Sequence, residues 1–86
     1  MNCSDNDLLT VLRYIRQILK DSNECLISTD TQIGSLNDHS VQVATEVLIK
    51  YEFVRGYSVA EPDITGTDYT ITSITAKGLK FLASYQ

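Results

Sequence analysis

From Leu8 to Leu19 the apolar residues Leu8, Leu9, Leu12, Ile15, Ile18 and Leu19 recur at three- and four-residue steps, the spacing of a helix with one buried face. Ser4 or Asp5 stands where a side-chain oxygen can cap the free backbone N–H groups, and Asp21-Ser22-Asn23 supplies a stop. Near the other end the period changes at Thr75. Residues Tyr69 to Ile74 alternate as a strand, and Thr75 caps a last helix in which Leu79, Phe81 and Leu82 are expected inward, with Lys77 and Lys80 outward.

Between these segments, Leu26 and Ile27 fit a short extended piece. Ser28, Thr29, Asp30 or Thr31 can open a brief second helix carrying Ile33 and Leu36, although Gly34 weakens it. Asn37 or Asp38 then begins a third helix. Its Val41, Ala44, Val47 or Leu48, and Tyr51 lie along one side, while His39, Gln42, Val43, Glu46, Ile49 and Lys50 project from the other. The tight link between the second and third helices is a helix-turn-helix by spacing. Phe53, Val54, Tyr57 and Val59 form the first strand of a hairpin, with Gly56 permitting a bulge or a close approach, and the Tyr69 strand is its partner. Tyr57 and Tyr69 are expected to face each other. The polar loop Ala60 to Thr67, with Glu61, Pro62, Asp63 and Gly66, joins the strands. The prediction is an α+β chain of three helices, a two-stranded β-hairpin and a C-terminal helix, in one domain over residues 1–86.

Charge narrows the partners. Over 86 residues the net charge is -4 and the pI about 4.6, a balance that disfavours generic polyanion binding, which needs clustered Lys and Arg. A short basic stripe of Arg13, Arg16 and Lys20 lies on the flank of the first helix, where a solvated face is the simplest reading. No apolar run exceeds three residues, so neither a membrane span nor a signal-peptide core is expected, and the expected location is cytoplasmic. Cys25 leads the apolar triplet Cys25-Leu26-Ile27 and is expected reduced and packed rather than bridged to Cys3. His39 is the sole histidine and no Cys-x-x-Cys pair exists, so no metal or other cofactor is expected.

Two segments carry a family resemblance. Val47-Leu48-Ile49-Lys50-Tyr51-Glu52-Phe53-Val54 looks like the closure of a recognition helix onto the first wing strand. Ile71-Thr72-Ser73-Ile74-Thr75-Ala76-Lys77-Gly78-Leu79-Lys80-Phe81-Leu82 is similar to the "leucine-threonine, two residues, glycine" signature of MarR-like and PadR-like regulators and of small YjcQ-like bacterial and prophage proteins. The order of elements, from Asp7 to Ser84, thus resembles the winged helix-turn-helix superfamily, with the hairpin loop as the wing. The resemblance specifies fold better than function. One departure is local: Glu52 stands where a glycine usually turns the chain in a left-handed conformation. Another is the charge, since Asp38, Glu46, Glu61, Asp63 and Asp68 outnumber Lys50 and Arg55 on the surfaces that would meet DNA.

Catalysis is not expected. Asp38-His39-Ser40 holds the residue types of a hydrolytic triad, but neighbours at one helix start diverge, and a capping role explains them. On the implied fold the candidate contact residues are His39, Gln42, Val43, Glu46, Ile49, Lys50 and Arg55, with Thr45 also facing a groove. The leading expectation is a non-enzymatic DNA-binding transcriptional regulator of bacterial or phage origin, acting as a homodimer on double-stranded DNA through a seam on the first or last helix. The alternative is an acidic protein–protein interaction module, a phage-encoded modulator or nucleic-acid mimic, favoured by the charge and by Val43 and Ile49 on the outward arc.

Overall fold

Ser4 caps the first helix, α1 (Asp5–Leu19), by accepting the Asp7 N–H at 3.1 Å. Its apolar stripe becomes one wall of the core, where Val11, Leu12 and Ile15 are fully buried. In the computed structural model, which describes residues 4–59 and 68–85, the chain continues through β1 (Cys25–Ile27), α2 (Asp38–Lys50), β2 (Val54–Val59), β3 (Asp68–Ile74) and α3 (Ala76–Ala83). The three strands form one antiparallel sheet in the order β1-β3-β2. One face of the sheet packs on the helices through Cys25, Ile27, Val54, Tyr69 and Ile71, against Val41, Ala44 and Leu48 of α2 and Leu82 of α3. Each aliphatic side chain so buried contributes about 1.5–3 kcal/mol, which is what holds so small a chain together.

The sheet has three strands where the sequence led to two. The extended piece at Leu26 and Ile27 pairs with β3, placing Cys25 opposite Ile71 and Ile27 opposite Tyr69. Cys25 and Ile27 alternate inward around an exposed Leu26, the pattern of a strand with one face on the core.

The brief second helix is absent; residues 28–36 are turns and irregular chain. Ser28 donates its N–H to Thr31 Oγ1 at 2.8 Å and its hydroxyl to Asp30, while its carbonyl accepts the Thr31 N–H at 3.2 Å. These local bonds give the backbone an alternative to helix. Gly34 then adopts φ 55, and Leu36 N–H closes a single turn on Ile33 O at 3.1 Å. Ile33 still reaches the core, so the apolar pattern is satisfied without a helix.

A tight junction links α2 to α3. The end of α2 is a Schellman motif: Phe53 N–H bonds to Leu48 O at 2.9 Å and Glu52 N–H to Ile49 O at 3.1 Å. It requires a left-handed residue at position 52, and Glu52 supplies it at φ 62, where the sequence departs from glycine. Thr75, the cap of α3, donates its hydroxyl to Glu52 O at 2.6 Å, with Phe53 O also near at 3.0 Å, and accepts the Gly78 N–H at 3.1 Å. Lys77 Nζ donates to Tyr51 O at 2.9 Å and lies 5.0 Å from the centre of the Phe53 ring. A lysine from the start of one helix thereby satisfies a carbonyl at the end of another, where the helix dipole favours a cation.

Three side-chain placements differ from the sequence reading. Leu79 is exposed, because the inward arc of α3 is set by Gly78 and Leu82, and Gly78 must meet the Phe53 carbonyl. Tyr51 is also exposed, since it follows the last helical residue. Tyr57 does not face Tyr69: a bulge at Arg55/Gly56 places Tyr57 opposite Thr70 and Ser58 opposite Tyr69, so the two rings lie on opposite faces. The bulge falls at Gly56, whose missing Cβ leaves room for Thr70 O. Tyr85 closes the fold at its far end by donating to Asp5 at 2.8 Å, and that carboxylate pushes the phenol pKa upward.

Candidate functional site

Asn37, by accepting the Ser40 N–H at 2.8 Å, fixes where α2 begins and therefore which residues turn outward. Val41, Ala44, Thr45 and Leu48 are buried, while His39, Glu46 and Lys50 are exposed and Gln42, Val43 and Ile49 are half-buried. Thr45 belongs to the packed side; its hydroxyl donates to Val41 O at 2.7 Å and it cannot meet a groove. Ile49 packs partly against the core rather than standing free on the outer arc.

Glu46, Ile49 and Lys50 come together with Ser58 and Tyr69 around a cleft of about 210 Å³ between α2 and the hairpin. Carboxylate, ammonium and hydroxyl groups thus edge an apolar floor. Lys50 Nζ sits 5.9 Å from the centre of the Tyr51 ring, at the limit of a cation–π contact. His39, Gln42 and Val43 lie one to three turns further toward the start of α2, outside this cleft. The exposed charges on α2 are Asp38 and Glu46 against Lys50, so its outward side is acidic near the N-terminus and mixed near the C-terminus.

Arg55 is separate from the rest of the set. It is exposed, and it shares a second depression of about 490 Å³ with Glu52, Val54, Thr75, Ala76 and Lys77 beside the α2–α3 junction. Ser58 and Tyr69 were missed as cleft residues. The expected pairing of Tyr57 with Tyr69 put Ser58 on the opposite face, and only the register shift at Arg55/Gly56 brings Ser58 and Tyr69 together on the helix-facing side. The loop 60–67, with Glu61 and Asp63 of the expected wing, and Cys3 lie outside the described residues; Asp68 is exposed.

Cys25 is a free, buried thiol, and burial pushes its pKa up to about 11. It is therefore neutral at physiological pH and a poor nucleophile. Among the described residues no three His, Cys, Asp or Glu side chains converge as a metal site would require. Nor is any described helix long and apolar enough to cross a membrane. No family model, no curated protein and no solved structure matches this chain.

Proposed function

We propose that this chain is a winged-helix module that binds double-stranded DNA as a non-enzymatic regulator, with α2 as the reading helix and a second copy doubling the contact. The observation that carries this reading is the pairing of β1 beside β3 in a sheet whose hairpin follows α2 directly. Helix, edge strand, turn, helix and hairpin in that order are compatible with a winged-helix arrangement whose middle helix is replaced by turns. In it the N-terminal turns of α2 present His39 and Glu46, with Val43 half-buried beside them, whereas Gln42 would have to turn its buried amide nitrogen outward to use the donor and acceptor that adenine recognition needs. The homodimer is inferred from energetics, because one small module offers few phosphate contacts. A bacterial or phage origin rests on the resemblance of the Ile71-to-Leu82 segment alone.

A second reading keeps this arrangement and replaces DNA with a protein partner. It is favoured by Asp38 and Glu46 on α2 and by the exposed Leu26 and Tyr57 on the outer face of the sheet. Fluorescence anisotropy with a mixed-sequence duplex separates the two. DNA binding predicts saturable association at low salt that weakens steeply as salt rises. No association at low salt overturns the first reading and is what an acidic interaction module predicts.

A further inference from the structure

Among the described residues, three of the basic side chains gather on one flank away from α2. Of the seven Lys and Arg residues, Arg13, Arg16 and Lys20 follow one another along α1, and two of them enter a groove between the end of α1 and the end of β3. This groove, of about 460 Å³, is lined by Arg16, Leu19, Lys20, Ser22, Asn23, Thr72, Ser73 and Ile74, with no carboxylate among them. Leu19 and Ile74 form an apolar floor. Arg16 and Lys20, four residues apart, have neighbouring side chains on the same helical face. Among the described residues neither makes an ion pair, and the side chains of Ser22, Asn23 and Ser73 make no hydrogen bond. Thr72 is already engaged, donating its hydroxyl to Arg55 O at 3.2 Å.

We propose that this groove binds a phosphate group. Arg16 offers a planar fork that matches phosphate oxygens, Lys20 a second, mobile charge, and Ser22, Asn23 and Ser73 neutral donors around them. The apolar floor of Leu19 and Ile74 suits the body of a small phosphorylated molecule lying along an open groove. Asp21 and Glu24 stand on the same connection, exposed, but neither lines the groove. No α2 residue lines it either, so the site does not depend on the reading of α2 as a DNA-contacting helix.

The test is a two-dimensional amide NMR titration of the full chain with inorganic phosphate, a nucleoside 5′-monophosphate and a short DNA duplex, each at constant ionic strength. Saturable shifts confined to residues 16–23 and 72–74 are expected with at least one phosphate-bearing probe. Response to the monophosphate identifies a free phosphorylated ligand, and response to the duplex alone identifies a nucleic-acid backbone as the source. In the paired variant Arg16→Gln with Lys20→Gln the affinity should fall about tenfold or more, whereas Lys80→Gln, on the exposed side of α3, leaves it unchanged. An unchanged dispersed spectrum verifies the fold of each variant. Shifts spread evenly over all basic residues, no saturation with any probe, or equal affinity in the paired variant overturns the proposal.

Discussion

The carbonyl oxygen of Phe53 occupies the space that a Cβ on Gly78 would need, with Ile74 Cγ2 closing the same gap at 2.8 Å. The glycine inside α3 is therefore demanded by a backbone approach, although glycine costs a helix interior about 0.5–1 kcal/mol relative to alanine. Gly78→Ala should gain that propensity and lose more. The clash must displace either Phe53 or the helix, and overpacking of this kind costs about 1–3 kcal/mol. A lower urea midpoint with an unchanged slope is the expected result, while a higher midpoint would show that the junction yields freely.

Glu52→Gly should act in the opposite direction. Glu52 holds φ 62, a conformation that costs a residue with a Cβ on the order of 1 kcal/mol and glycine almost nothing. Part of the gain is offset by the greater freedom of glycine in the unfolded chain. Stabilisation of a few tenths up to about 1 kcal/mol is expected in chemical denaturation.

Thr75 holds two elements with one hydroxyl. Its oxygen caps α3 while its proton is given to Glu52 O. Thr75→Val keeps the shape and removes both bonds, with an expected loss of about 1–2 kcal/mol, whereas Thr75→Ser should lie close to the parent. Equal stability of the two variants in thermal unfolding would mean that the hydroxyl is dispensable.

The buried Cys25 gives the protein an alkaline stability limit. Its folded pKa is raised to about 11, so as the pH climbs from the ordinary thiol range the unfolded chain releases a proton that the folded chain retains. Stability should fall as the pH rises through that window and level off only above the folded value. The Cys25 contribution is absent in Cys25→Ala, so the difference between the two pH profiles isolates it. At neutral pH, alkylation of Cys25 should follow global unfolding and slow when the fold is stabilised.

If α2 is a DNA-contacting helix, Lys50→Glu should weaken association across all duplex sequences and reduce the salt slope by about one. Anisotropy over a salt series measures both quantities. Arg55→Glu serves as a comparison, since Arg55 lies in the depression at the α2–α3 junction rather than beside Glu46 and Lys50.

The ends of the elements were more legible in the sequence than their neighbours in space. Ser4, Asn37 and Thr75 mark helix starts because capping is local chemistry, and each accepts the expected backbone N–H. Glu52 was identifiable as an anomaly because the helix-to-strand turn demands a left-handed residue wherever it occurs. The second helix failed because Ser28, Asp30 and Thr31 can close a turn among themselves, an option that apolar periodicity ignores. The role of Leu26 and Ile27 as a third strand depended on β3, whose position no local pattern specifies. For the candidate site the exposure of His39, Glu46 and Lys50 was legible in the sequence, but not the burial of Thr45, the partial packing of Ile49 or the exposure of Tyr51, nor that Ser58 and Tyr69 complete the cleft, since a bulge sets the register. The groove at Arg16 and Lys20 required knowing that Ser73 packs beside the end of α1.

The partnership of residues 25–27 with residues 69–71 fixes the order in which the chain can assemble. A nascent chain that has emerged only as far as α2 has no strand to cover the free side of Cys25 and Ile27, and Tyr69, Ile71 and Leu82 of the core are still missing. Local helix formation in α1 comes early and cheaply, whereas sealing of the interior waits for nearly the whole chain. During synthesis this molecule must therefore keep a greasy, half-made surface in water until β3 and α3 have left the ribosome, and molecules truncated before β3 should be caught by proteases or aggregate rather than fold in part.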